Sequence, residues 1–193
     1  MASVDLDGWL RVNGFNPAKL STTTLGRHQA TPMTVAAAQG DLSIVRSLAE
    51  NCPPLLTRPE AKGRTAGQTP LFKACRGGHI GAVKFLLDSG VAEGVLVHDK
   101  KHPFRPGCPN TLLTAAIEAE NLELVRFLAS VRPGLLSEKD CEEATPLLRA
   151  CRKGHLGIAK FLLASGAEED LERADRYGQF CLSEAAYEGH TKV

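Results

Sequence analysis

Two cysteine–histidine pairs are the first residues in this sequence whose types and spacing suggest chemistry. Cys75 and Cys151 are each followed, four positions later, by a histidine, His79 and His155. A zinc site needs about four such ligands that converge on one tetrahedral point. The two pairs stand instead at equivalent places of two similar segments, so each belongs to its own copy of a repeated unit. We therefore interpret both pairs as structural.

A second group with metal-ligand chemistry lies between residues 91 and 110. Its members are three possible ligands and three cations: His98, His102, Cys108, Lys100, Lys101 and Arg105. The cations would oppose a bound metal ion. No nucleophile motif such as G-x-S-x-G is present, and Gly77-Gly78 lacks the spacing and the lysine of a phosphate loop. The sequence thus predicts no catalytic residue, no metal and no cofactor, and we do not expect an enzyme.

The composition is that of an ordinary folded chain. Of 193 residues, 43% are hydrophobic and 23% are charged, with a net charge of +1, so no basic excess points to nucleic acid. No apolar run approaches the roughly 18–20 residues of a membrane span, and the N-terminus lacks a signal-peptide pattern. The six cysteines form no C-x-x-C pair and are interpreted as reduced thiols. We expect a cytoplasmic or nuclear protein.

An internal repeat positions these residues. The segment 69–80, TPLFKACRGGHI, recurs at 145–156 as TPLLRACRKGHL, and weaker copies share the register. The copies start near residues 31, 69, 111, 145 and 180, at intervals of 38, 42, 34 and 35. The last two intervals fit a period of about 33 directly, and the first two fit it with insertions.

The residues of one copy favour a pair of helices. Thr69 can cap the first helix with its hydroxyl, and Pro70 suits the first helical position, where a missing N–H costs nothing. Gly77-Gly78 in this copy, or Gly154 in the copy that starts at residue 145, can end the first helix because glycine tolerates the left-handed conformation. The second helix has Val83 and Leu86 at helical spacing. One such pair cannot bury its apolar face alone, so neighbouring copies must stack.

From about residue 31 onwards the sequence resembles the ankyrin-repeat family, whose signature is T-P-L-H-x-A. The resemblance implies an all-α fold, an ankyrin-repeat solenoid of stacked helix–turn–helix units with inter-repeat loops or hairpins. The signature histidine is absent: Thr34, Phe72, Thr114, Leu148 and Ser183 stand at its position. This departure weakens the expectation of an inter-repeat hydrogen bond, but it leaves the predicted fold unchanged.

The edges of the repeat region give further expectations. Residues 1–30 lie outside it, and Leu6, Trp9 and Leu10 either form one helix face that caps the first repeat or belong to a loose tail. The ankyrin-repeat domain spans 31–193, and its fifth copy is expected to be truncated. Two insertions interrupt the stack, Asn51–Gln68 and Val91–Asn110. The second is basic and is either a ligand-binding finger or a solvated loop.

The concave groove is the expected binding surface, because solenoids bind with their extended concave face. Counting the threonine of each copy as the first position, we expect the fifth, eighth and ninth positions to point outward. The predicted partner-binding residues at these positions are Lys73, Arg76, Glu118, Arg149, Arg152, Lys153, Glu184 and Tyr187. The basic middle of this set predicts a preference for an acidic peptide segment, with ordinary solvated charge as the alternative. A second basic series, Arg46, Lys84, Arg126 and Lys160, is interpreted as a solvated convex face.

The order of the parts also resembles the Fem family of substrate receptors for cullin-RING ubiquitin ligases. The likeness rests on Ala144–Leu148 and on a later segment that includes Gly178, Cys181 and His190. It implies capture of a protein's C-terminal degron. Fem proteins read a terminal arginine with acidic groove residues, and the matching position here is Lys153, so that specificity is not carried over.

Three functions stay open from the sequence. The first is a protein-interaction module, with the degron receptor as one form of it. The others are a regulatory segment of a larger enzyme or channel, and an autonomous scaffold or inhibitor. All three predict a monomeric module that binds a protein partner. Nucleic acid is a weak alternative, because the basic positions lack interleaved aromatic residues for base stacking.

Overall fold

A computed structural model describes residues 5–20, 30–60, 67–91, 99–102 and 105–193, with only the backbone between 91 and 110. The chain divides into two compact units, Met1–Gly107 and Cys108–Val193, which we call the N-terminal unit and the C-terminal unit. In the described ranges, no helix is long and apolar enough to cross a membrane. The side chains of the predicted basic finger, with His98, His102 and Cys108, lie outside the described residues.

In its described ranges, the N-terminal unit consists of helices and short turns. The helices are α1 (Leu6–Val12), α2 (Pro32–Gln39), α3 (Leu42–Asn51), α4 (Pro70–Arg76) and α5 (Ile80–Leu86). Short 3-10 turns follow at Pro17–Lys19 and Pro53–Leu56, and a wider turn, Leu87–Val91, continues α5. Helix α2 packs on α4 and α3 packs on α5, which is the predicted stacking of neighbouring helix pairs.

The C-terminal unit repeats this design. Its helices are α6 (Leu112–Glu118), α7 (Leu122–Val131), α8 (Pro146–Lys153), α9 (Leu156–Ala164) and α10 (Cys181–Tyr187), with 3-10 turns at Pro133–Leu136 and Ala167–Glu172. Helix α8 packs between α6 and α10, and α7 packs on α9. In the second insertion, β1 (Asp99–His102) and β2 (Arg105–Asn110) pair in a two-stranded sheet. The predicted all-α repeat fold with inter-repeat hairpins is confirmed.

The predicted threonine caps are present. The Thr69 hydroxyl accepts a hydrogen bond from the Phe72 amide at 3.2 Å, and the Thr145 hydroxyl accepts one from Leu148 at 3.2 Å. The last repeat has Phe180 at this position, and there the Ser183 hydroxyl accepts from the Phe180 amide instead. Gly154 ends α8 with a φ of 72°, in the left-handed region that favours glycine.

One leucine position shows how the stack buries its core. Leu71, Leu113 and Leu147 hold the third position of successive repeats and are fully buried. Leu182 holds the same position in α10, yet 68% of it is exposed. This leucine position is therefore part of the core of each unit, whereas in α10 it presents an apolar side chain to solvent.

The N-terminal segment and the cysteine–histidine pairs have structural contacts. Leu10 of α1 is buried, and α1 contacts α3. Cys75 and Cys151 are both buried, and burial raises the pKa of the Cys75 thiol, which makes it a poor nucleophile. The His79 ring bonds to the Ala38 carbonyl at 3.0 Å, so this histidine joins one helix pair to the preceding pair.

Candidate functional site

Two tight turns of the C-terminal unit precede the first helices of its last two repeats. In the first turn, the Asp140 amide donates to the Ala144 carbonyl at 3.0 Å and the Glu143 amide donates to the Asp140 carbonyl at 3.0 Å. In the second, Asp175 bonds with Gln179 and Gly178 in the same way, also at 3.0 Å. The two turns therefore have equivalent backbone geometry.

An aspartate begins each turn and accepts backbone hydrogen bonds with one of its oxygens. Asp140 Oδ1 accepts from the amides of Glu142 at 2.8 Å and Ala144 at 3.1 Å. Asp175 Oδ1 accepts from the amides of Tyr177 at 2.8 Å and Gln179 at 3.0 Å. Both carboxylates are buried, and a buried charge is stable only when it is paired.

Two arginines of α8 pair with these carboxylates. Arg149 donates to Asp140 Oδ2, and to Glu142 Oε2 at 2.9 Å. Arg152 donates to Glu142 at 3.0 Å, to Asp175 Oδ2 at 2.8 Å and to Glu184 of α10 at 2.5 Å. We call these six residues the arginine network. It joins four carboxylates to two guanidinium groups, so its net charge is two negative.

The structure divides the predicted site residues into an exposed group and a group that is buried or half-buried. Four residues at the eighth and ninth positions are exposed as expected: Arg76, Glu118, Lys153 and Tyr187. Arg152 also holds the eighth position, but it lies in the network and is only 18% exposed. The expectation that the fifth position points outward is wrong. Ala115 and Glu184 are buried there, and Arg149 is only 15% exposed. The Arg149 side chain turns towards the carboxylates of the preceding turn.

The N-terminal unit has a smaller version of the same contact. Lys73 Nζ of α4 lies 3.3 Å from Glu60 Oε1. Lys73 holds the fifth position, as Arg149 does in α8, and Glu60 is buried. Arg76 is exposed in this unit.

The pKa of Asp175 reflects its position in the network. Burial by itself raises the pKa of this carboxyl, but the amides of Gln179 and Tyr177 and the guanidinium of Arg152 favour the charged form, and the net effect is a lowered pKa. In the unfolded chain, by contrast, the aspartate has its ordinary value of about 3.9. The folded state therefore releases this proton more readily than the unfolded state does.

We expect this difference to produce a measurable pH dependence of stability. The contribution of Asp175 should be complete above the unfolded pKa and should be lost as the pH falls through the lowered folded pKa. Asp175→Asn keeps an acceptor oxygen for the two amides but removes the charge. Its unfolding free energy should change less between about pH 5 and pH 2 than that of the wild type, as urea titrations at each pH would measure. Glu143→Gln, which changes an exposed carboxylate, is the control. If the unfolding free energy of Asp175→Asn depended on pH as that of the wild type does, the lowered pKa of Asp175 would be contradicted.

Exposed apolar side chains are concentrated in the last repeat. Tyr187 is 86% exposed, and Tyr177, Phe180 and Leu182 are exposed as well. Sequence reasoning identified Tyr187 but missed the other three. The sequence contained one indication that Phe180 is unusual, because an aromatic residue stands there in place of the capping threonine. These four residues lie between positions 177 and 187, so this part of the described chain carries most of the large apolar side chains that are exposed.

The second basic series has contacts of its own on the second helices. The Arg46 guanidinium lies 5.6 Å from the centre of the Phe85 ring, and that of Arg126 lies 5.2 Å from the Phe161 ring. Each arginine stacks on the phenylalanine of the next repeat, at a distance suited to a cation–π interaction. These contacts support a structural role for the two arginines.

Comparison with known proteins adds a family assignment to this geometry. A family model described as ankyrin repeats (3 copies) matches residues 9–99, 95–175 and 112–193. The chain is similar to the ankyrin repeat and KH domain-containing protein mask-1 of Caenorhabditis elegans, with 28% identity over 82% of this chain and 6% of that protein. It is also similar to the human transient receptor potential cation channel subfamily A member 1, with 32% identity over 66% of this chain and 10% of the channel.

A third relative is the mouse serine/threonine-protein kinase TNNI3K, with 27% identity over 66% of this chain and 15% of the kinase. The chain thus spans only a small part of the length of these relatives. Because the family model covers most of the chain, and the helix pairs, caps and stacking agree with it, the chain belongs to the ankyrin-repeat family.

Proposed function

We propose that this chain binds a segment of another protein on an exposed surface of its C-terminal unit. Ankyrin repeats are protein–protein interaction modules, and this unit presents Lys153, Tyr177, Tyr187 and Glu188 to solvent. We call these four residues the binding surface. The observation that carries the proposal is Tyr187, which is 86% exposed, because an exposed tyrosine is a typical anchor of protein interfaces.

The packing of the helices supports the grouping of these residues. Helices α8 and α10 stack side by side, so equivalent positions of the two helices are neighbours. Tyr187 holds the position of Arg152, and Glu188 holds that of Lys153. Arg152 itself bonds to Asp175 in the turn that contains Tyr177. The ends of both helices and this turn therefore contribute to one face of the unit.

The predicted preference for an acidic peptide segment now depends on fewer cations than the sequence suggested. Three of the five cations on which it depended already have carboxylate partners: Lys73, Arg149 and Arg152. We assign Arg149 and Arg152 a supporting role, in which they hold the helices that present the surface, and Lys73 makes the corresponding contact within the N-terminal unit. Lys153 is exposed on the binding surface, and any preference of that surface for acidic residues in a partner would come from it. Arg76 is exposed in the N-terminal unit. Glu118 and Glu184 complete the predicted set, the first exposed and the second inside the arginine network.

A peptide selection tests the proposal. Short random peptides displayed on phage would be selected on the full chain, and the affinities of the selected peptides measured. Tyr187→Ala should lower these affinities by about 30-fold, equivalent to about 2 kcal/mol for an interface anchor. Lys160→Ala, an exposed residue of α9, should leave them unchanged. Lys153→Glu should weaken acidic peptides more than neutral ones. Equal affinity for wild type and Tyr187→Ala would sink the proposal.

A second candidate is a regulatory segment of a larger enzyme or channel. The observation that favours it is the likeness to a channel and a kinase, of which this chain spans 10% and 15%. A degron receptor or an autonomous scaffold would use the same binding surface. In each case we propose a binding rather than a catalytic role, for a monomeric module. The buried free thiols of the described cysteines support a reducing, cytoplasmic or nuclear compartment.

A further inference from the structure

Two cysteines of the C-terminal unit place their thiols side by side. Cys151 belongs to α8 and Cys181 is the first residue of α10, and these two helices pack on each other. A thiol–thiol hydrogen bond joins the two side chains. Both cysteines are buried and both are free thiols. Because residues 151 and 181 are far apart in the sequence, the stacking of the helices is what brings them together.

The contacts of the pair give its two sulfur atoms different roles. The Cys181 thiol donates to Cys151 and thereby lowers the pKa of the Cys151 thiol, although burial opposes this effect. The same hydrogen bond, together with burial, raises the pKa of Cys181, whose Sγ also donates to the Asp170 carbonyl at 3.5 Å. The thiolate is the nucleophilic form of cysteine. Cys151 is therefore the sulfur that reacts first, and Cys181 is the neighbour that can react with its product.

The surroundings of α10 allow a small reagent to reach the pair. Cys181 is fully buried, but Phe180 and Leu182 on either side of it are exposed, so part of the surface of this helix faces solvent. Local opening of one such helix costs less free energy than unfolding of the whole domain. Opening of α10 from α8 would expose both thiols at the same time.

We propose that Cys151 and Cys181 form an oxidation site, at which hydrogen peroxide produces a reversible disulfide between α8 and α10. The Cys151 thiolate attacks one peroxide oxygen and the O–O bond breaks. The other oxygen leaves as hydroxide and takes up the proton that Cys151 released, so that water and a sulfenic acid are formed. The Cys181 sulfur then attacks the Cys151 sulfur. The S–S bond forms, the S–O bond breaks, and the departing hydroxide takes the Cys181 proton to give a second water.

The disulfide would fix α10 to the rest of the unit. Because a cross-link between residues 151 and 181 restricts the unfolded chain, we expect the oxidised protein to be the more stable form. This inference goes beyond the proposed function, since the reaction requires no protein partner. Its test uses no peptide, so failure of one proposal leaves the other intact.

Treatment of the full chain with hydrogen peroxide tests the site. The remaining thiols would then be alkylated in denaturant, and the disulfides mapped by mass spectrometry of a digest. The expected product is an intramolecular disulfide that joins Cys151 to Cys181, with the loss of two hydrogen atoms. Cys75, whose pKa is raised by burial, should stay reduced. The urea midpoint should rise on oxidation and return to its original value with dithiothreitol.

Two variants separate this pair from the other cysteines. Cys181→Ala removes the second thiol, so peroxide should no longer raise the urea midpoint, and dimedone should trap the sulfenic acid at Cys151. Cys52→Ala removes a buried thiol of the N-terminal unit and should leave both the cross-link and the rise unchanged. The mapping on the wild-type chain is decisive even if a variant fails to fold. A disulfide to any other cysteine, the absence of a cross-link, or a lower midpoint of the oxidised chain would each overturn the proposal.

Discussion

Replacing Arg152 by alanine is expected to lower the free energy of unfolding by about 3–5 kcal/mol, the range for breaking a buried ion pair by removing one partner. Arg152 donates to three carboxylates, those of Glu142, Asp175 and Glu184. Asp175 has no exposed side-chain area and Glu184 has little. The substitution would therefore leave two buried negative charges without their cation, and the turn that begins at Asp175 would lose its ion pair with α8.

Chemical denaturation followed by circular dichroism would measure this loss. Lys153 offers a matched control, because it is the next residue of the same helix and is exposed. Lys153→Ala should change stability by no more than about 0.5 kcal/mol. If the two variants were equally stable, Arg152 would be an ordinary surface residue and the arginine network would have no structural role.

Replacing Leu147 by alanine should cost about 2–5 kcal/mol, because it deletes buried methyl groups and leaves a cavity between stacked helices. The same substitution at Leu182 is a stringent control. Both leucines hold the third position of a first helix, but Leu147 is fully buried whereas Leu182 is 68% exposed. Leu182→Ala should therefore stay within about 0.5 kcal/mol of the wild type.

The same denaturation experiment compares the two leucine variants. A large loss for Leu182→Ala would mean that another surface covers α10 in solution. A small loss for Leu147→Ala would mean that α8 is not packed between α6 and α10 as described. Either result would contradict the stacking of the C-terminal unit.

The helix pairs could be predicted because their signals are local. Thr69 and Thr145 cap their helices through amides three residues away, and Gly154 ends a helix by its own conformation. Such contacts depend on neighbours in sequence, so spacing and residue type are sufficient. The repeat register also led us to interpret the two cysteine–histidine pairs as structural, and both cysteines are buried.

The arginine network could not be predicted in the same way, because it depends on how turns lie against the next helix. The sequence places Arg152 at an outward position and Glu184 in another repeat, 32 residues away. Only stacking brings them together. Arg152 and Glu184 have opposite charges at the eighth position of one repeat and the fifth position of the next. This pattern in the sequence would have predicted their ion pair. Considering the cations without their neighbours suggested a basic groove, whereas the network of the C-terminal unit has a net negative charge.

This arrangement also affects how binding experiments are interpreted. Charge reversal at Arg149 or Arg152 would remove cations that hold the fold, so weaker binding by such variants would report a damaged scaffold. Lys153 and Tyr187 are better probes, because they are exposed and outside the network. Structural and binding roles can thus be separated by measuring stability and affinity on the same variants.

The most direct test of the central claim is that paired measurement on Tyr187→Ala. For peptides selected on the wild-type chain, affinity should fall by about 30-fold, while the unfolding free energy should stay within about 0.5 kcal/mol of the wild type. Unchanged affinity for those peptides would contradict the claim that the exposed surface of the last repeat binds a protein partner.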